Sequence, residues 1–155
     1  MMEKIAVFAG SFCPFTKGHE DVVRKALPLF DKIVIAVGHN ARKQDAFSVE
    51  QRLAWIRTVY AQQPKITVLA YEGLTINLCR KVQASYMIRG LRNVSDYMTE
   101  EEICLVNRQL SSEVETLFVP TSPQWRHVSS SLVRELWMLH ADYSPYVSYQ
   151  LPEIE

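Results

Sequence analysis

A chain of 155 residues, 48% hydrophobic and 22% charged, has the size and apolar content of one compact domain with a single core. Seventeen basic residues offset seventeen acidic ones, and the resulting zero net charge argues against a dedicated nucleic-acid binder. The first ten residues do not read as a secretion signal, no apolar run nears the ~20 residues of a membrane span, and Cys13, Cys79 and Cys104 suggest neither a disulfide framework nor a zinc site, so a cytoplasmic protein with no membrane partner is expected.

Residues 4–9 and 32–37 are short, β-branched and almost continuously apolar, as in strands buried on both faces of a parallel sheet. Between them, residues 19–30 carry Val23, Leu27 and Phe30 at helical spacing, which completes a β-α-β unit. Ser48 and Gln51 form a capping-box pair that opens a second helix, with Val49, Leu53, Ile56 and Tyr60 on one face. A strand follows Pro64 over 65–71, then a helix over about 74–84 and a strand over 86–88. A longer helix is predicted over about 95–110, with Ile103, Val106 and Leu110 in one stripe. A strand over 115–119 and a helix over 129–140 come next. The tail from about 140 is expected to add helix to a single domain spanning 1–155.

Strands alternating with helices predict an α/β fold, a Rossmann-like doubly wound sheet of about five parallel strands. Ligands bind beyond the carboxyl ends of such strands, which directs attention to residues 10–19, 38–43, 72–75, 89–92 and 120–131.

The first strand runs into Gly10-Ser11-Phe12-Cys13-Pro14-Phe15-Thr16-Lys17-Gly18-His19. Gly10 is expected to allow a tight turn off the strand, and Gly18 a close backbone approach. Ser11 offers a hydroxyl at the strand tip. His19 falls in the first helical turn, where exposed N–H groups attract phosphate and the dipole lowers the imidazole pKa. Neither a Walker lysine loop nor GxGxxG is present. Cys13, beside that helix start, is expected to have a lowered pKa, with inhibition by thiol reagents as the corollary. Arg89 directly follows a buried-type strand, where an unpaired charge is costly; Glu100 and Asp96 are its candidate partners. Ser129, Ser130 and Ser131 open a helix, so hydroxyls and free N–H groups converge there, and Ser129 also suits a plain N-cap.

Gly10-Ser11-Phe12-x-Pro14 followed by Thr16-x-Gly18-His19 resembles the (H/T)xGH signature of the nucleotidyltransferase superfamily. Ile88-Arg89-Gly90-Leu91-Arg92 resembles the IRGLR segment of bacterial phosphopantetheine adenylyltransferases, and residues 128–135 resemble their serine-rich late motif. The three segments occur in the family's order across about residues 3–140. The resemblance implies adenylyl transfer from ATP to 4'-phosphopantetheine, giving 3'-dephospho-CoA and pyrophosphate in the penultimate step of coenzyme A biosynthesis. His19 would stabilise the transition state at the α-phosphate, assisted by Lys43 and Arg92. Ser11, Phe12, Gly90, Leu91, Arg92, Glu100 and the segment Trp125, Arg126, His127, Val128, Ser129, Ser130 and Ser131 would contact ATP. Ser11, Lys43, Leu74, Thr75 and Arg89 would hold the pantetheine substrate. Mg²⁺ carried by the triphosphate, a homohexamer and feedback by CoA are further implications.

The sequence departs from the family pattern at Cys13, where Asp is common, at Lys17, where Asn is common, and at Ser11, where Thr is usual. Lys17, Arg126 and His127 are expected to add positive charge near the phosphates. Two alternatives stand beside this reading. One is a sister nucleotidyltransferase, for nicotinamide mononucleotide or a cytidylyl acceptor; the other is a non-catalytic nucleotide-binding protein of the same fold.

Overall fold

The computed structural model describes residues 2–155. Five strands, β1 (Ile5–Gly10), β2 (Lys32–Gly38), β3 (Ile66–Tyr71), β4 (Tyr86–Leu91) and β5 (Glu115–Pro120), pair in parallel in the order β3-β2-β1-β4-β5. Five helices connect or follow them: α1 (Lys17–Ala26), α2 (Val49–Val59), α3 (Thr75–Val82), α4 (Val94–Leu110) and α5 (Ser130–Met138). The chain works outward from β1 to β3, then crosses back to place β4 on the other side of β1. That reversal leaves a crevice above the carboxyl ends of β1 and β4.

The continuous apolar runs reflect burial on both sheet faces. Ala6, Phe8, Ile33, Ile35 and Ile88 pack under Val22, Val23 and Ala26 of α1 and Ile56 of α2. Val7, Ala9, Val34, Ala36 and Met87 pack against Ile76, Leu78 and Cys79 of α3. A third cluster joins Cys13, Phe47, Val133, Val147 and Leu151. Gly90 lets α1 lie close on β4: a Cβ there would stand 2.8 Å from Val22 Cγ2.

Several boundaries differ from the sequence expectation for local reasons. The first helix stops at Ala26 instead of reaching Phe30, because Pro28 sits in a 3-10 turn, Leu27–Leu29, that tightens the exit. Strand β4 runs three residues past its apolar stretch: Arg89, Gly90 and Leu91 remain in the ladder opposite Phe118, Val119 and Pro120. The tail expected to be helical has only the 3-10 turn Ser144–Tyr146, with Pro145 inside it. It is held by burial of Val147 and Leu151 and by Trp137 Nε1–H donating to the Pro152 carbonyl at 2.7 Å. Helix α4 buries none of its residues; Ile103, Val106 and Leu110 are 42%, 55% and 46% exposed. Among the described residues no helix is long and apolar enough to cross a membrane.

Candidate active site

The loop leaving β1 turns at Phe12, not at Gly10. Phe12 has φ +45, in the left-handed region, and Gly10 does not. Gly10 is needed for another reason: a Cβ there would press on the Phe12 ring at 3.0 Å. The buried Phe12 ring packs at about 5 Å on Phe8, Phe15 and His19, and this stack offsets the backbone strain.

Thr16 caps α1. Its hydroxyl accepts from His19 N–H at 3.4 Å, and its own N–H donates to His19 Nδ1 at 2.9 Å. A backbone N–H can only donate, so Nδ1 is an unprotonated acceptor and a neutral ring carries its proton on Nε2. The His19 pKa is lowered to about 3, chiefly by burial and then by the nearby Arg92 and Arg89 cations. His19 therefore offers a neutral Nε2–H donor near pH 7.

Arg89 is fixed at the carboxyl end of β4. Its Nε and Nη2 donate to the two oxygens of Glu100 at 2.6 and 2.7 Å, and Nη1 donates to the Ala9 carbonyl at 2.8 Å. Both partners are largely shielded, and two guanidinium N–H groups remain unused. Glu100, expected to contact ATP, has both oxygens engaged by Arg89. Arg92 forms a second pair with Asp96 at 3.1 Å. Burial pushes the Asp96 carboxyl up, but hydrogen bonds from the Arg92 side chain and N–H outweigh it and hold the pKa below the usual range.

The late motif is stitched onto the first loop. Ser130 Oγ donates to the Pro14 carbonyl at 2.8 Å, and Arg134 Nη1 donates to the Cys13 carbonyl at 2.6 Å. Ser129 is the N-cap of α5, its Oγ accepting from Leu132 N–H at 3.0 Å. Ser129 and Ser131 each retain a hydroxyl proton, whereas that of Ser130 is already donated. The sequence reading missed Asp21. It is 4% exposed and accepts from the N–H and hydroxyl of Ser122, anchoring the chain between β5 and α5 to α1. Burial alone would raise its pKa; the Ser122 and Arg24 donors bring it below the ordinary value. A single Asp in a helical stretch carried no sequence signal for this 101-residue separation.

These pieces enclose a cleft of about 360 Å³ lined by Gly10, Ser11, Phe12, His19, Arg89, Gly90, Arg92, Glu100, Val128, Ser129, Ser130 and Ser131, with Asp96 and Thr121. A second arm of about 310 Å³ shares Ser11 and Arg89 with it and adds Lys43, Asn40 and Tyr71. The largest cavity, about 900 Å³, lies to the side between α2 and α3; it shares Lys43 and Tyr71 with the second arm but holds neither His19 nor either cleft arginine. The smaller cleft is the donor-rich one, gathering His19, Arg89, Arg92 and the serines that open α5.

Other expected residues are not brought into it. Trp125 faces away, with Lys17 Nζ 5.9 Å from its ring centroid, so Lys17 adds no charge beside His19. His127 packs on Tyr146 at 5.6 Å, and Arg126 is exposed outside the cleft lining. Leu74 is 55% exposed, and Leu91 does not line the cleft. Thr75 pairs its hydroxyl with Tyr71 at 3.0 Å and lines a small crevice with Arg89 and Glu100. Cys13, expected to be reactive, is 4% exposed and packed in the third cluster.

The parallel sheet with a phosphate-suited cleft at its switch point defines a nucleotidyltransferase-like protein, and residues 7–136 match the cytidylyltransferase-like family. Among curated relatives, the phosphopantetheine adenylyltransferase of Cytophaga hutchinsonii is 41% identical over 97% of this chain and all of its own length. That of Flavobacterium psychrophilum is 44% identical over 92% of this chain and 93% of the relative. The chain belongs to the phosphopantetheine adenylyltransferase family. Among solved structures, a bifunctional NMN adenylyltransferase/ADP ribose pyrophosphatase from Francisella tularensis superposes with TM-score 0.73 over 97% of this chain and 46% of that one, at 18% identity. The same enzyme complexed with AMP and manganese superposes with TM-score 0.69, at 18% identity, over the same shares of the two chains. At that identity the likeness is one of fold.

Proposed function

We propose that this protein transfers the adenylyl group of ATP to 4'-phosphopantetheine, releasing pyrophosphate and forming 3'-dephospho-CoA. The observation that carries the reading is the convergence of His19 Nε2–H, Arg89, Arg92 and the Ser129–Ser131 helix start on one cleft, in a chain alike over more than nine-tenths of its length to named phosphopantetheine adenylyltransferases. The acceptor phosphate oxygen attacks the α-phosphorus, and the bond from that phosphorus to the bridging β-oxygen breaks. The nucleophile is already an anion and the leaving group is pyrophosphate, so no enzymic base is required. Catalysis rests on alignment and on donors aimed at developing charge.

In this reading, His19 donates Nε2–H to the α-phosphate, and Arg92 with the α5 start receives the β- and γ-phosphates. Ser11 sits where the two arms meet and contacts both substrates. Lys43 and the unused N–H groups of Arg89 take the acceptor phosphate, with Tyr71 and Thr75 beside the pantetheine chain. Glu100 orients Arg89, and as a cleft-lining carboxylate with a lone pair left on each oxygen it also faces ATP. Mg²⁺ would arrive with the triphosphate: the two cleft carboxylates, Asp96 and Glu100, are already spent on arginines. Assembly as a homohexamer and residence in the cytoplasm are part of the proposal, with CoA as a competitor for the same cleft; the uncovered apolar residues of α4 support self-association.

Pyrophosphate release is to be measured with ATP and phosphopantetheine, against nicotinamide mononucleotide and glycerol phosphate as acceptors. Phosphopantetheine is expected to give the highest kcat/KM by orders of magnitude. A preference for either rival acceptor replaces this reading with a sister enzyme, and no release with any of them supports a binding protein.

A further inference from the structure

Arg52 is 1% exposed and holds four chain segments together. Its Nη1 donates to the Ser11 carbonyl at 2.6 Å and to the Gly38 carbonyl at 3.3 Å. Its Nε donates to the Ser48 carbonyl at 3.3 Å, and Nη2 to Asp45 Oδ2 at 3.1 Å. Ser11 stands at the tip of β1, Gly38 ends β2, and Ser48 caps α2. Asp45 lies in the loop that carries Lys43 and lines the same arm as Lys43. Arg52 itself lines neither arm of the cleft. A planar five-donor fork suits this task, because it spans several acceptors at fixed angles and stays charged when buried.

We propose that Arg52 and Asp45 form a positioning pair that sets Lys43 and Ser11 relative to one another, and so shapes the acceptor-phosphate end of the cleft. This rests on the reading of that arm given above. The bond to Ser11 fixes the strand tip, and the bond to Asp45 fixes the Lys43 loop to the same rigid group. Without the fork, the two loops are joined only through the sheet and the apolar contact of Phe47 with the Cys13 cluster, neither of which fixes the polar end of the Lys43 loop against the Ser11 tip. Positioning errors of about 1 Å are enough to cost large factors in rate.

The test is a double-mutant cycle of Asp45→Asn with Lys43→Ala, read by KM for each substrate, kcat and melting temperature. Asp45 is partly accessible (14% for its side chain), so D45N is expected to fold. K43A alone should raise KM for phosphopantetheine. D45N alone should raise it roughly tenfold, with KM for ATP within about twofold, and should add less than about twofold in the K43A background. Arg52→Lys, which keeps one charge but loses the fork, should raise the same KM and be non-additive with D45N. Full additivity of D45N with K43A, an equal rise in both KM values, or a silent D45N beside an impaired K43A overturns the positioning pair and leaves the functional reading intact. A silent K43A removes Lys43 from the acceptor site, overturning that part of the functional reading and the pair with it.

Discussion

Because the Thr16 N–H points its proton at His19 Nδ1, the imidazole must carry its own proton on Nε2, and burial beside two arginines keeps the ring neutral. This has a measurable consequence. The folded-state pKa of about 3 lies below the unfolded value of 6.5, so on acidification the unfolded chain takes up the proton first. The contribution to stability is complete above about pH 6.5 and is lost as pH falls toward 3. The His19 ring resonances are expected not to titrate between pH 8 and 5 by NMR; a midpoint near 6.5 would refute the assignment. Between pH 7 and 5 the wild type should lose roughly 1–2 kcal/mol more unfolding free energy than His19→Asn, measured by denaturant titration. His19→Ala should lower kcat about 10²–10³-fold, the range for removal of one oxyanion donor. Among the other site residues, Ser11 and His19 were legible because they follow the first strand in a recognisable order. Asp21 and Arg52 were not, because each acts through partners far along the chain.

Helix α5 and the tail behind it brace the first loop as one unit. Ser130 and Arg134 donate to the Pro14 and Cys13 carbonyls, Tyr149 donates its hydroxyl to the Phe15 carbonyl, and Ser148 donates to Glu20 at 2.7 Å. Trp55 stacks on Tyr149 at 5.1 Å, which ties the tail to α2 as well. Phe15 in turn stacks on His19, so the tail supports the imidazole at one remove. Deleting residues 143–155 exposes the cluster that Val147 and Leu151 cover. Two buried aliphatic side chains correspond to a loss of roughly 3–6 kcal/mol, to be read from urea unfolding at pH 7. Turnover should fall with it, because the Phe15 carbonyl loses its partner. Unchanged stability in the truncated chain would show that the tail contributes nothing to the cluster.

At the scale of the whole molecule, α4 stands apart. It lies beside β4, yet Val94, Met98 and Leu105 are 74%, 63% and 58% exposed, one apolar line along the outside. Water contact along that line is unfavourable, and covering it with another copy removes the cost. Sedimentation is expected to give a particle several times the 17.9 kDa chain. Leu105→Glu, placing a charge on that face, should shift it toward the monomer while circular dichroism stays unchanged. A monomeric wild type would refute this.

The sequence alone determined the succession of elements along the chain: strands alternating with helices, a parallel sheet, and three motifs at strand ends that belong to adenylyl transfer. Those features are local, set by periodicity and by short runs of residues in contact with their neighbours. Tertiary structure alone decided which donors remain free. It paired Arg89 with Glu100 and Arg92 with Asp96, gave the Ser130 hydroxyl to Pro14, turned Trp125 away and buried Cys13. Hydrogen-bond capacity is finite, and how each group spends it depends on partners that the chain brings together only on folding.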